Sequence, residues 1–171
     1  MPEMIRFAWG TSTLGDFMLA VSDKGLVAAE FSPDHGATEE ALHARFPDAE
    51  VVNKQQELAD CLEKVRQAIE EPAFDPTVAL DLRGTPYEIG VWSMLRAIPM
   101  GETTTYGALA VKLGTRDARE VTDAIARNPI AVLVPCHRVV KKDGSISGYR
   151  WGVKRKRELL RREQNAGLYG H

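Results

Sequence analysis

Val134-Pro135-Cys136-His137-Arg138-Val139-Val140 holds a cysteine between a proline and a histidine, directly after the apolar run Ile130 to Val134. The run reads as a buried strand, so the thiol stands where a strand leaves the core and side chains become reachable. A free thiol has a pKa near ~8.5 and is only a few per cent ionised at neutral pH, so a reactive cysteine needs a base or a positive charge beside it. His137 and Arg138 are candidates of both kinds. The competing reading is a small buried hydrophobe, which is what most free cysteines are.

Upstream, Thr85-Pro86-Tyr87-Glu88 is the clearest local signal in the chain. Threonine caps, proline takes the first helical position, and glutamate reaches back to close a capping box. Ile89, Trp92, Leu95 and Ile98 then form an apolar stripe, ended by Pro99 and Gly101. Two short helices are predicted next: Tyr106 to Leu113 capped by Thr105, and Arg116 to Arg127 capped by Thr115, with Gly114 between them. That spacing is a helix-turn-helix. In the second helix Ala118, Val121 and Ile125 are expected to face inward. Arg116, Arg119, Glu120, Asp123 and Arg127 would face outward, where i,i+4 ion pairs are a plain alternative to nucleic-acid contacts. Beyond the cysteine, Lys141-Lys142-Asp143-Gly144 makes a turn and Gly148 to Gly152 a glycine-bounded loop. A last helix from about Val153 to Asn165 carries Lys154, Arg155, Lys156, Arg157, Arg161 and Arg162, with Leu159 and Leu160 inward.

The first half reads differently. Runs at Ile5 to Trp9, Phe17 to Val21 and Leu26 to Phe31 are strand-like, the last two joined by a hairpin signal at Asp23-Lys24-Gly25. Helices are expected over Ala37 to Phe46 and Gln55 to Glu70, and Pro72 and Pro76 mark a linker. Cys61 falls on the core side of the second helix, and His35 and His43 have no ligand partners at metal-binding spacing.

The net charge of -2 conceals an asymmetry. Residues 1–80 hold 6 Lys/Arg against 15 Asp/Glu, and residues 81–171 hold 16 against 9. An acidic half joined to a basic half suggests that the second half meets a polyanion while the first faces away. Hydrophobic residues at 44% and charged residues at 27% describe a globular protein. No apolar run approaches the ~20 residues that span a bilayer and no signal-peptide pattern opens the chain, so the expected location is cytoplasmic. Two cysteines are too few for a four-cysteine zinc site, and no disulfide is expected in a reducing compartment.

The Pro135-Cys136-His137-Arg138-Val139 signature, preceded by Arg127-Asn128-Pro129, resembles the active-site signature of the O6-alkylguanine-DNA alkyltransferases. The likeness runs from Arg83-Gly84-Thr85-Pro86 through Ile98-Pro99-Met100-Gly101-Glu102-Thr103 and Thr105-Tyr106 to Gly148-Tyr149-Arg150-Trp151-Gly152 and Leu159-Leu160-Arg161-Arg162-Glu163. Gly-Tyr-Arg-Trp-Gly is most similar to the alkyltransferase domain of bacterial Ada-type proteins. The resemblance implies an α+β fold. A small antiparallel-sheet, ribonuclease H-like domain over residues 1–80 would brace a mostly helical, DNA-binding alkyltransferase domain with a helix-turn-helix over residues 81–171.

It also implies the chemistry. Cys136 would take an alkyl group, chiefly methyl, irreversibly from O6-alkylguanine, and also from O4-methylthymine, in double-stranded DNA. The resemblance makes Cys136, His137, Glu163 and Tyr106 the catalytic set, with Glu163 orienting the histidine. Arg119 would enter the minor groove and fill the gap left by an extruded base. Thr105, Arg116, Arg127, Asn128 and Arg138 would join it in binding DNA, Asn128 linking the helix-turn-helix to the active-site strand. Val139, Tyr149, Arg150 and Trp151 would line the substrate pocket, the last two narrowing it. No metal or organic cofactor and no membrane is implied, and the protein would act as a monomer. Glu120 and Asp123 depart from the family's small residues and would repel phosphates. The rival readings are a non-catalytic DNA-lesion sensor, which the cysteine argues against, a transcriptional regulator, which the missing four-cysteine module and second DNA-binding domain argue against, and a cysteine hydrolase, which leaves the basic half and Arg119 without a purpose.

Overall fold

The computed structural model describes residues 2–115 and 117–169, the last three of these by their backbone alone. The chain is a mixed α+β protein of two compact units. One takes in the chain up to Glu70 together with Phe74–Leu82, and the other Glu71–Ala73 and the chain from Arg83 onward.

The first unit is built on a four-stranded sheet of β1 (Met4–Gly10), β2 (Phe17–Val21), β3 (Leu26–Phe31) and β4 (Glu50–Asn53). The order is β3-β2-β1-β4. The first three strands pair antiparallel as the sequence predicts, but β4 runs parallel to β1, with Met4 opposite Glu50 and Phe7 opposite Asn53. The sheet is therefore mixed rather than antiparallel. β4 is a four-residue edge strand with only Val51 and Val52 half-buried, too short a pattern to read. It is carried back alongside β1 by α1 (His35–Arg45), because a parallel pair needs a crossover rather than a hairpin.

Period-two alternation along β1 sends Ile5 and Phe7 to a core with Met18, Ala20, Val27, Ala28 and Leu42 of α1. On the other face Gly10 lets Phe17 and Leu62 approach within 3.2 Å of where a Cβ would stand. Leu62 belongs to α2 (Ala59–Glu70), which starts four residues later than the pattern suggests. Gly25 has φ +148°, and an added Cβ would lie 2.5 Å from the Ala79 carbonyl oxygen, so the segment closing this unit passes where only glycine fits. Leu26 donates to Ala79 O and Asp81 to Leu26 O, and the Ser22 hydroxyl donates to Asp81 Oδ2 at 2.6 Å.

The second unit starts with α3 (Pro86–Arg96). Its capping box is formed in full: Glu88 N donates to Thr85 Oγ1 and Thr85 N to Glu88 Oε1. Such a cap contributes about 1 kcal/mol. The indole of Trp92, deep in the core, donates to the Ala124 carbonyl at 2.8 Å and so fixes α3 against α5 (Ala118–Ala126). Between them come the two-residue strand β5 (Thr104–Thr105) and α4 (Tyr106–Leu113). α4 is capped by Thr105 Oγ1 and ended by Gly114 in the left-handed region, φ +72°. The cap of α5 is Asp117, not Thr115, because its carboxylate accepts from Arg119 N at 2.9 Å while Thr115 Oγ1 accepts from Asp117 N. Val121, Ala124 and Ile125 form the inner stripe, and Ala118, at the first turn, is exposed rather than inward.

Ile130 to Val134 is not a strand. It is a series of turns in which Val132 takes φ +67° and Val134 N reaches back to Ile130 O. The side chain of Asn128 stands in for a strand neighbour, its Oδ1 accepting from Ile130 N and its Nδ2 donating to Val134 O, each at 2.9 Å. The apolar run reported burial, not extension. A 3-10 turn at Cys136–Arg138 follows, then β6 (Val139–Val140), parallel to β5, and α6 (Val153–Tyr169). No helix among the described residues is long and apolar enough to cross a membrane.

Candidate active site

The 3-10 turn places Cys136 and His137 side by side in the core, 3% and 1% exposed. α6 lays a stripe over them. Lys156, Leu159 and Glu163 recur at helical spacing, and all three are buried. His137 Nε2 lies 3.1 Å from Glu163 Oε1, so the histidine and glutamate meet as the sequence anticipated. His137 Nδ1 is buried with no hydrogen-bond partner. Cys136 Sγ accepts from Asn128 Nδ2 at 3.3 Å.

Burial pushes the Cys136 thiol up to about 11, against the opposing pull of the Asn128 amide and the Lys156 and Arg150 charges. Roughly one thiol in ten thousand is then ionised at pH 7, so any reaction through sulfur has to remove the proton as it proceeds. His137 is held below its ordinary value by burial, with the Glu163 carboxylate working the other way, and the resting imidazole is neutral and basic. For Glu163, burial alone would raise the carboxyl, but hydrogen bonds and charges from His137 and Arg138 overcome it and keep it ionised. The resting site thus pairs a protonated sulfur with a neutral base and a carboxylate that orients it.

Two residues assigned to DNA on sequence grounds are placed elsewhere. Asn128 is 0% exposed, and its amide organises the turn and the sulfur instead of facing solvent. Arg138 turns inward, where Nε donates to Glu163 Oε1 at 2.7 Å and Nη1 to the Ile98 carbonyl at 2.6 Å. A guanidinium held at both ends inside the unit is not available to a phosphate. Lys156 also leaves the expected basic face of α6, and sequence reasoning missed its place in the site. Its ammonium donates to the Gly148 carbonyl at 3.4 Å, lies 6.0 Å from the centre of the Tyr106 ring, and is held below its ordinary value by burial. The i, i+3, i+7 relation to Leu159 and Glu163 was the signal that could have found it.

These are the features of a protected thiol with its own base. The family model described as the DNA-binding domain of 6-O-methylguanine DNA methyltransferase matches residues 86–165. The inducible methylated-DNA–protein-cysteine methyltransferase of Bacillus subtilis is 35% identical over 154 residues, 88% of this chain and 86% of that protein. The chain belongs to the methylated-DNA–protein-cysteine methyltransferase family. The bifunctional transcriptional activator/DNA repair enzyme Ada of Escherichia coli is 39% identical over 160 residues, 93% of this chain. This family member spans 45% of the length of Ada, about half. Among solved structures, that of Mycobacterium tuberculosis OGT in complex with DNA superposes with a TM-score of 0.77 at 32% identity, covering 94% of this chain and 93% of that one.

Around the thiol of this methyltransferase-family chain, Val139 is buried and Tyr149 brings its phenol into the core. Burial, with the Cys136 charge second, drives that phenol well above its ordinary range, and its hydroxyl has no hydrogen-bond partner. Trp151 is buried edge-on to Tyr149 with ring centres 5.4 Å apart, and the Arg150 guanidinium lies 5.1 Å above the indole while donating to the Asn128 carbonyl at 2.5 Å. Tyr106 is half-buried, its hydroxyl 2.8 Å from that of Ser147, a partner the sequence did not flag.

Arg119 and Arg127 are outward as expected, but neither uses the predicted i,i+4 partner. Arg119 Nε lies 3.4 Å from Asp117 and Arg127 Nη1 lies 3.4 Å from Glu88. Thr105 is half-buried and engaged as a cap. Arg116 lies outside the described residues.

Proposed function

We propose that this chain repairs DNA by direct reversal, transferring an alkyl group, chiefly methyl, from O6-alkylguanine to Cys136 in a single irreversible event. O4-methylthymine presents the same alkyl–oxygen bond and is the second substrate. The observation that carries the reading is the buried Cys136, coupled to Asn128, Lys156 and Arg150, beside a His137–Glu163 pair inside the DNA-binding portion of the chain.

The target carbon is inaccessible inside a duplex, so the base has to be rotated out at a cost of a few kcal/mol. α4 and α5, packed together and joined through Gly114, act as a helix-turn-helix on the minor groove. The 91% exposed Arg119 side chain at the start of α5 occupies the space that the base leaves. An exposed pair with Asp117 contributes at most about 1 kcal/mol and yields readily to that role. Arg127 and Thr105 add phosphate contacts, and Arg116 joins them by the family resemblance.

At the site, sulfur attacks the alkyl carbon as the carbon–O6 bond breaks. The thiol proton passes by way of a water to His137 Nδ1 and then neutralises the departing guanine. Thiol and alkylated base become thioether and guanine. Tyr106 donates a hydrogen bond to the flipped base, steadying charge as it develops. The Tyr149–Trp151 segment and Val139 bound the pocket. No group in the site returns sulfur to a thiol, so each molecule reacts once. The first unit, with its parallel β1–β4 pair and helices α1 and α2, is a ribonuclease H-like brace for a cytoplasmic protein that acts as a monomer.

Intact-mass analysis after mixing with O6-methylguanine duplex tests the reading. One methyl per chain on the Cys136 peptide is expected. Continued turnover with excess substrate, or methyl on Cys61, refutes it.

A further inference from the structure

Glu163 Oε1 receives two donors: His137 Nε2 at 3.1 Å, and Arg138 through Nε at 2.7 Å with Nη2 at 2.6 Å. Oε2 of the same carboxylate is buried with no partner. A guanidinium facing a carboxylate ordinarily spreads over both oxygens. Here it crowds onto the oxygen the histidine uses, because Nη1 is tied to the Ile98 carbonyl. The arginine side chain is 14% exposed and that of the glutamate 4%, so solvent screens the pair little.

We propose that Arg138 is a positioning residue for alkyl transfer: by sharing Glu163 Oε1 with His137 it keeps the imidazole neutral and protonated on Nε2, leaving Nδ1 bare to take the thiol proton. The inference rests on Cys136 being the alkyl acceptor.

An ionised carboxylate only accepts, so the ring nitrogen facing Oε1 has to carry the hydrogen. In a neutral ring the other nitrogen then holds the lone pair, and that nitrogen is the buried, unpartnered Nδ1. The guanidinium is permanently charged and already neutralises Glu163. A second positive charge on the imidazole would be a like charge beside it, disfavoured on top of burial. Without the arginine, imidazolium would be the nearest compensation for a buried carboxylate, and a protonated His137 cannot act as a base. The charged and titratable groups facing this ring and the neighbouring sulfur come from several elements. They are Cys136 and Arg138 of its own turn, Lys156 and Glu163 of α6, and Tyr149 and Arg150 of the glycine-bounded loop. α3 carries Glu88, paired with Arg127, and the exposed Arg96.

The test reads the ring directly and the reaction separately. Nitrogen-15 NMR of His137 in the full chain is expected to show a neutral ring protonated on Nε2 at pH 7. In Arg138→Met the ring should titrate about one pH unit or more higher, the shift expected for losing a charge at this range. The acid limb of the rate of methyl transfer from O6-methylguanine DNA should move up by the same amount, so the variant loses more of its rate at pH 6 than at pH 8, by up to about sixfold for a one-unit shift. Arg138→Lys keeps the charge and should restore the limb, but not the full rate, because an ammonium cannot hold both Oε1 and the Ile98 carbonyl. An unchanged titration and limb in Arg138→Met overturn the proposal, as does a wild-type ring protonated on Nδ1. If Arg138→Met does not fold, the wild-type tautomer and the Lys variant decide, a one-unit shift in the latter counting against the role. Failure of the wild-type protein to take up methyl refutes the alkyl-transfer reading alone, and the NMR titration then judges Arg138 by itself.

Discussion

Asn128→Ala removes a side chain that makes three contacts at 0% exposure. Its loss strands the Ile130 amide, bonded to it at 2.9 Å, and takes one of two donors from the Val134 carbonyl, which still accepts from Cys136 N. An orphaned buried backbone group costs about 1–3 kcal/mol and a lost hydrogen bond about 0.5–1.5 kcal/mol, so the substitution should cost about 2–4 kcal/mol. At about 2–4 °C per kcal/mol for a chain of this size, the midpoint of thermal unfolding should fall by roughly 4–16 °C. The third contact adds a chemical effect. Sγ loses the amide that lowers its pKa, so a thiol already at about 11 moves further up and methyl transfer slows by about tenfold or more. Thermal unfolding followed by tryptophan fluorescence gives the first number, and single-turnover transfer from O6-methylguanine DNA, measured well below the new midpoint, gives the second. A midpoint within about 2 °C of wild type together with an unchanged rate would refute the reasoning, since the turn and the sulfur would then be held by something other than this amide.

Arg119→Ala should slow repair of duplex DNA strongly yet spare reaction with free O6-methylguanine base, which needs no extrusion; equal losses on both substrates would reject the role. Trp151→Gly should gain reaction with O6-benzylguanine, because it removes a buried ring packed on Tyr149, and comparable second-order rates for methyl and benzyl substrates in the unmodified protein would count against a narrow pocket. His137 has a folded pKa below its unfolded value, so the unfolded chain binds the extra proton first and stability falls as pH drops below about 6.5. Urea unfolding from pH 8 to 5 should show this slope, and His137→Gln should flatten it. Cys136 behaves in the opposite sense: with a folded thiol at about 11 against 9.0, its contribution is full below pH 9 and is lost between 9 and 11, and Cys136→Ser should remove that loss.

The local signals in the sequence were those whose physics is contained within a few residues. The Thr85 capping box, the Thr105 cap, the left-handed Gly114 and the β2–β3 hairpin each depend on partners within four or five positions, and each was legible. The charge asymmetry and the cysteine signature pointed to a basic, thiol-bearing half by composition and motif alone. What the sequence could not decide was where long side chains end. Asn128, Arg138 and Lys156 are polar residues in a basic stretch, and by pattern each belongs at a surface that meets phosphate. The tertiary fold turns all three inward, because Val134 O, Ile98 O, Gly148 O and the Glu163 carboxylate converge on them from elements up to 40 residues away in the chain. The same distinction explains Ile130 to Val134. Five apolar residues fix only that the segment is buried, whereas extension requires a neighbouring strand. The fold supplies the side chain of Asn128 instead, and the segment closes into turns that set the thiol beside its base.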